Sequence, residues 1–212
     1  MGDLPKFDEW WDYTQPAETE QRFRELLPRA AASADCSYHS QLLTQLARTL
    51  GLQKRFDEAH AVLDDAEALL DRADATTRVR YLLERGRVFN TSEHPDRARP
   101  LFLQAWELAC GGGEPLSNLA IDAAHMLGII EPLKQQLEWS MQALEIAERT
   151  NSHWRAALYN NIGWTYHDLG DYRKSLEYLE KGLLLREQAG KEPALTIARD
   201  SVAKLKGLLD RP

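Results

Sequence analysis

Laid over itself, the sequence repeats. Near its C-terminal end, Tyr159-x2-Ile162-Gly163-x2-Tyr166 is followed by Gly170-Asp171-Tyr172 and then by Ser175-x3-Leu179-x2-Gly182. Apolar and small residues three and four apart describe two helices with one buried stripe each, joined by a glycine turn. Upstream, Leu43, Leu46, Ala47 and Leu50 with Ala59, Leu63 and Ala66 form another copy, and Leu82, Gly86 and Phe89 with Ala98, Phe102 and Ala105 a further one. The weakest copy has Ala120, Ala124 and Leu127, but Gln136 and Ser140 where Ala and a large apolar residue are expected. Starts near 40, 79, 120 and 156 give spacings of 39, 41 and 36 residues. A period of this size demands stacking, because a lone helix pair leaves one apolar face uncovered until its neighbour covers it. Strand-like alternation of β-branched residues is absent.

The weak copy admits two frames. Aligning Leu127-Gly128 with Ile162-Gly163 would put Pro132 inside a first helix, where it loses a hydrogen bond and clashes. The frame four residues earlier lets Pro132 open the second helix, and this is the frame expected here. Arg85 stands in a slot that is otherwise apolar. The run Cys110-Gly111-Gly112-Gly113-Glu114-Pro115 marks the longest connection and, with no Lys-Ser/Thr after it, is a joint and not a phosphate loop. Thr19, Phe23 and Leu26 follow second-helix spacing, as if half a repeat preceded the first full one. At the other end Leu195, Ala198, Val202, Leu205 and Leu209 share one face of a helix whose other face carries Asp200, Lys204 and Lys206, as a closing helix requires.

These motifs resemble the tetratricopeptide repeat family, whose first helix carries an aromatic residue, Leu-Gly and Tyr, and whose second carries Ala, Phe and Ala. The resemblance implies an all-α, right-handed superhelical solenoid of about four full repeats, with an N-terminal half-repeat and a C-terminal capping helix. The expected organisation is an irregular, aromatic-rich arm over 1–15 and a single repeat domain over 16–209, closed by a capping helix over 194–209. Gly163 and Gly182 are expected where helix backbones cross too closely for side chains.

Chemistry of the catalytic kind is not signalled. The chain lacks G-x-S-x-G, a Walker loop, H-E-x-x-H and any cysteine pair at ligand spacing. No two of its six histidines lie four apart on one helix, and acid pairs such as Asp64-Asp65 fit a solvated helix face. An enzyme is not expected, nor any cofactor or metal. A net charge of −7 argues against nucleic acid and anionic lipid, and no stretch is long and apolar enough to span a bilayer. Two distant cysteines, Cys36 and Cys110, are expected to be buried thiols in a reducing compartment. The location expected is cytoplasmic, and the state a monomer or weak homodimer.

Binding is the expected work. In the family resembled, first helices line a concave groove. On that frame one slot holds Arg48, Arg87, His125 and Trp164; one turn earlier it is Thr44, Leu83, Ile121 and Asn160; one turn later come Asn90 and His167, with Gly51 and Gly128 in the other two copies. Arginine forks suit carboxylates and tryptophan is an apolar anchor. The alternative is that Arg48 and Arg87 pair with Gln45, Glu84 or Asp122 and only space the helices. The Lys/Asn/Arg clamp that some family members use for chaperone tails is not matched, since Thr44, Arg48, Glu84 and Asp122 stand in its slots. For Phe7, Trp10, Trp11 and Tyr13 three readings stay open: a cap over the first helix (preferred), an interface, or a tail lying in a groove. The functional expectation is a scaffold for a protein or extended peptide, and the alternative a sensor whose array responds to a signalling peptide or small ligand.

Overall fold

Helix boundaries in this chain are written by aspartate, proline and glycine. The computed structural model describes residues 4–190 and 192–209, so residues 1–3 of the expected arm lie outside it. Ten α-helices are found among the described residues: α1 (Pro16–Ala31), α2 (Cys36–Leu52), α3 (Phe56–Glu67), α4 (Ala75–Thr91), α5 (Pro95–Gly111), α6 (Ser117–Ile130), α7 (Leu133–Arg149), α8 (Arg155–Asp168), α9 (Tyr172–Ala189) and α10 (Ala194–Leu209). The carboxylates of Asp35, Asp74 and Asp171 accept from the backbone N–H groups of Tyr38, Thr77 and Lys174, satisfying donors that open α2, α4 and α9. Pro16 and Pro95 occupy the first turns of α1 and α5, where a missing N–H costs nothing. Pro132 stands immediately before α7, as the unshifted frame requires.

Each first helix packs on its own second helix, and α10 packs on α9. The chain divides into two compact units, Met1–Gly112 and Gly113–Pro212, with the boundary inside the glycine run. Unit 1 holds α1 to α5 and unit 2 holds α6 to α10. In unit 1 the core is built from Phe23, Leu42, Leu46, Leu50 and Leu63, with Phe102 fully buried beneath α4. In unit 2, Ile121, Leu127, Leu158 and Ile162 are buried, and Leu179 of α9 clusters with Val202 and Leu205 of α10.

Register within the pairs is set by volume. A methyl group on Gly86 would lie 2.4 Å from a ring carbon of Phe102, and one on Gly163 would lie 2.7 Å from Cγ of Leu179. On Gly182 it would lie 3.3 Å from the backbone oxygen of Ala156. These three glycines allow α4 to sit on α5, and α8 on α9, at a separation that a side chain would prevent. The turns inside three repeats share a left-handed residue: Lys54 (φ 61°), Glu93 (φ 67°) and Gly170 (φ 80°). Only the last of these is a glycine, the residue that adopts this conformation without steric cost.

Three expectations need correction. Neither cysteine is buried: Cys36 is half-buried and Cys110 exposed. Leu209 is more exposed than its place on the apolar face of α10 suggests. The arm is not wholly irregular, because Phe7–Trp10 form one turn of 3-10 helix.

Candidate binding surfaces

In unit 1 the neighbouring first helices α2 and α4 share a face, and its charges are paired internally. Glu84 on α4 is buried, and its carboxylate accepts from Arg48 at 3.2 Å and from Arg87 at 2.6 Å. One carboxylate thus holds both arginines, so the pairing alternative describes them. Arg48 also lies over the Tyr13 ring, 5.6 Å from its centroid, and its Nε is buried without a hydrogen-bond partner. Thr44 and Leu83 are 0% and 1% exposed, and Ile121 in unit 2 is 0% exposed. These three candidates pack between helices and line no open surface. Asn90 is half-buried near the end of α4.

Arg85 explains its own departure from the pattern. Its guanidinium reaches back to α3, bonding Asp64 at 2.5 Å, Glu67 at 3.3 Å and the His60 backbone oxygen at 3.2 Å, while its Nε donates to the Tyr81 hydroxyl. Nδ1 of His60 lies 3.2 Å from the same guanidinium and accepts from it. Burial, then the neighbouring Arg85 and Arg97, hold the His60 imidazole below its ordinary pKa. The cluster joins the second helix of one repeat to the first of the next.

Unit 2 offers an open site. Trp164 and His167 on α8 meet edge to face at 5.2 Å, and both line a cleft of about 170 Å³. Leu179 forms its floor, and Ser201, Lys204, Leu205 and Leu208 of α10 form the far wall. His167 is oriented by Asp168, whose carboxylate lies 3.1 Å from Nδ1, and by the Tyr172 ring at 5.3 Å. Lys204 has no ion-pair partner among the described residues. Leu208 is 40% exposed, so the cleft has an apolar rim beside a lone cation. Asn160 is half-buried on the same helix, while His125 on α6 stands apart from the cleft against Trp154, at 5.5 Å.

Of the ten candidate residues, Trp164 and His167 share this cleft. The α10 residues were missed, although Ser201, Lys204, Leu205 and Leu208 fall at helical spacing on one face. On the opposite side of α8 and α9, Tyr159 donates to Glu148; burial, then that bond, pushes its hydroxyl up to about 12. Tyr166 and Tyr178 stack at 5.5 Å, beneath Lys174 and Lys181.

Comparison with known proteins agrees with this geometry. The sequence model of the tetratricopeptide repeat matches residues 133–188. No curated protein sequence matches the chain. Among solved structures, BtubC (BKLC) from P. vanneervenii superposes with a TM-score of 0.70 at 14% identity, covering 95% of this chain and 83% of that one. A Podospora anserina protein of kinesin-light-chain type with nearly identical TPR-like repeats gives 0.65 at 16%, covering 82% and 87%. The apo form of RapI gives 0.69 at 15%, covering 96% and 70%. At these identities the likeness is one of fold.

Proposed function

We propose that the chain, whose residues 133–188 match the tetratricopeptide-repeat model, is a protein-interaction scaffold that grips an extended peptide at the cleft of unit 2. Repeats of this kind generally mediate protein or peptide contacts. The supporting observation is the cleft between α8 and α10, lined by the apolar ring of Trp164 and by the cation of Lys204. Its volume suits one apolar side chain, and Lys204 suits a carboxylate next to it. The favoured ligand is therefore a peptide with an apolar residue beside an acidic one. The arginines of unit 1 serve this reading poorly, since Glu84 already takes their charge.

The test is selection of peptides from a random display library on the full chain. Selected peptides should pair an apolar residue with an acid and weaken with added salt. Trp164→Ala should lower affinity by about 2 kcal/mol, the loss typical of a hot-spot anchor, and Lys204→Glu should lower it without disturbing the core. Glu177→Ala, on an exposed residue paired with Lys181, is the control. Selected peptides that bind both cleft variants as well as the native chain would refute the assignment. No membrane-crossing helix competes with this reading among the described residues, since none is long and apolar enough.

A further inference from the structure

Residues 5 to 13 lie along α2 in the same direction as that helix. The Tyr38 hydroxyl donates to the Pro5 backbone oxygen at 2.7 Å, the Trp11 indole donates to Gln45 at 2.9 Å, and Tyr13 sits under Arg48. Contacts therefore progress from 38 to 45 to 48 on the helix as they progress from 5 to 11 to 13 on the arm. Phe7 is 4% exposed and packs edge-on against Tyr38 at 5.0 Å and Phe23 at 6.1 Å. Asp8 forms a two-pronged ion pair with Arg80 of α4, at 2.8 and 2.9 Å. A cap over α1 needs apolar contact alone. This segment also matches charge to charge and an indole donor to an amide oxygen on α2 and α4, as a bound peptide does. Of the arm's acids, Asp8 is the one paired with an arginine of the helices, while the Asp12 carboxylate accepts from Thr14 within the arm.

We propose that the α2–α4 face of unit 1 recognises an acidic peptide of the form aromatic–Asp–x2–Trp that takes one 3-10 turn, and that the arm is its resident occupant, so that a partner segment of the same chemistry must displace the arm to bind. The surface is separate from the cleft of unit 2. Phe7 supplies the deep anchor, the Asp8–Arg80 fork sets register, and the Trp11–Gln45 bond selects an indole. A tethered occupant competes at an effective concentration in the millimolar range, so only a segment that reproduces these three contacts displaces it.

A fluorescein-labelled peptide with the sequence of residues 4–15 is titrated into the full chain and into the full chain carrying Asp8→Ala and Trp11→Ala. The double variant should bind it in the micromolar range, and the native chain at least tenfold more weakly. Adding Arg80→Glu to the double variant should lower affinity tenfold or more, and a peptide with Asp8→Arg should restore it. Trp164→Ala should change none of these values, which separates this surface from the cleft. A folded double variant that ignores the peptide, or binding indifferent to Arg80→Glu, overturns the proposal. Hydrogen exchange of the native chain decides the matter even if the double variant fails to fold. Amides of the arm should exchange at least tenfold faster than those of α2, and equal rates would make the arm an inseparable part of the core and end the proposal.

Discussion

Replacing Gly86 with alanine places a methyl carbon 2.4, 2.8 and 2.9 Å from three atoms of the Phe102 ring. Ordinary contact begins near 3.4 Å, so the ring must retreat by about 1 Å. Phe102 is fully buried where α5 packs on α4, leaving the ring little space to enter. Overpacking of this kind costs about 1–3 kcal/mol. Alanine recovers up to about 1 kcal/mol of that through its better helix propensity, so the net loss should be about 1–2 kcal/mol. For a chain of this size that corresponds to a fall in Tm of roughly 2–8 °C. The first repeat carries the compensating pair, since Ala47 and Leu63 stand where Gly86 and Phe102 stand in the second. Phe102→Leu alone should cost about 1–2 kcal/mol for the space it leaves. The double variant should be more stable than the sum of the two losses by at least about 1 kcal/mol, because the new methyl occupies the vacated volume. Denaturant titrations of all four proteins close the cycle. A Gly86→Ala protein as stable as the native one, or strictly additive losses, would show that volume matching does not set the α4–α5 register.

Ser175 occupies the alanine slot of the fourth repeat, and its hydroxyl is buried without a hydrogen-bond partner. Ser175→Ala should therefore stabilise the chain by about 1 kcal/mol, read as a raised midpoint in urea; a loss would mean that the hydroxyl is satisfied in solution. His60 is held neutral in the fold, so the unfolded chain takes up its proton first as the pH falls below the ordinary histidine range. The contribution of its environment to stability is thus intact above about pH 6.5 and is lost on acidification. His60→Asn should flatten the decline of Tm between pH 7 and 5, and an unchanged decline would assign it to other groups, His39 among them, whose pKa burial also lowers. Deleting residues 194–212 should expose Leu183 and the Leu179 floor and cause self-association in sedimentation, whereas a monomer of unchanged heat stability would deny α10 its capping role.

The helix pairs were legible because their constraint is local and repeated: Ala59, Leu63, Ala66, Ala98, Phe102 and Ala105 all lie where the pattern puts them, fully buried. Pro132 decided the frame of the weak copy for a reason that single residues rarely provide, since no helix interior accepts it without loss. The binding surface was less legible. Periodicity places a side chain on a helix face but does not say what stands opposite it. Arg48 and Arg87 sit in related slots, yet one buried carboxylate, Glu84, turns both inward to itself. Arg85 looked like a fault in an apolar slot until its partners on α3 were in view. The α10 half of the cleft went unseen because the face carrying Lys204 was read as the polar outside of a closing helix, and Leu208 stands beside it.

The left-handed residue inside the repeats bears on how such a protein can change over time. Lys54, Glu93 and Gly170 adopt one backbone conformation with three unrelated side chains, and Ala47 with Leu63 fills the slots that Gly86 fills with Phe102. In these three copies the dihedral angle is the same while the letter that adopts it differs. The stretch recognised by the family model, 133–188, is the one that contains the Gly170-Asp171-Tyr172 turn. The earlier copies build the same helix pairs under different spelling, so in this chain the geometry is more uniform than the text that encodes it.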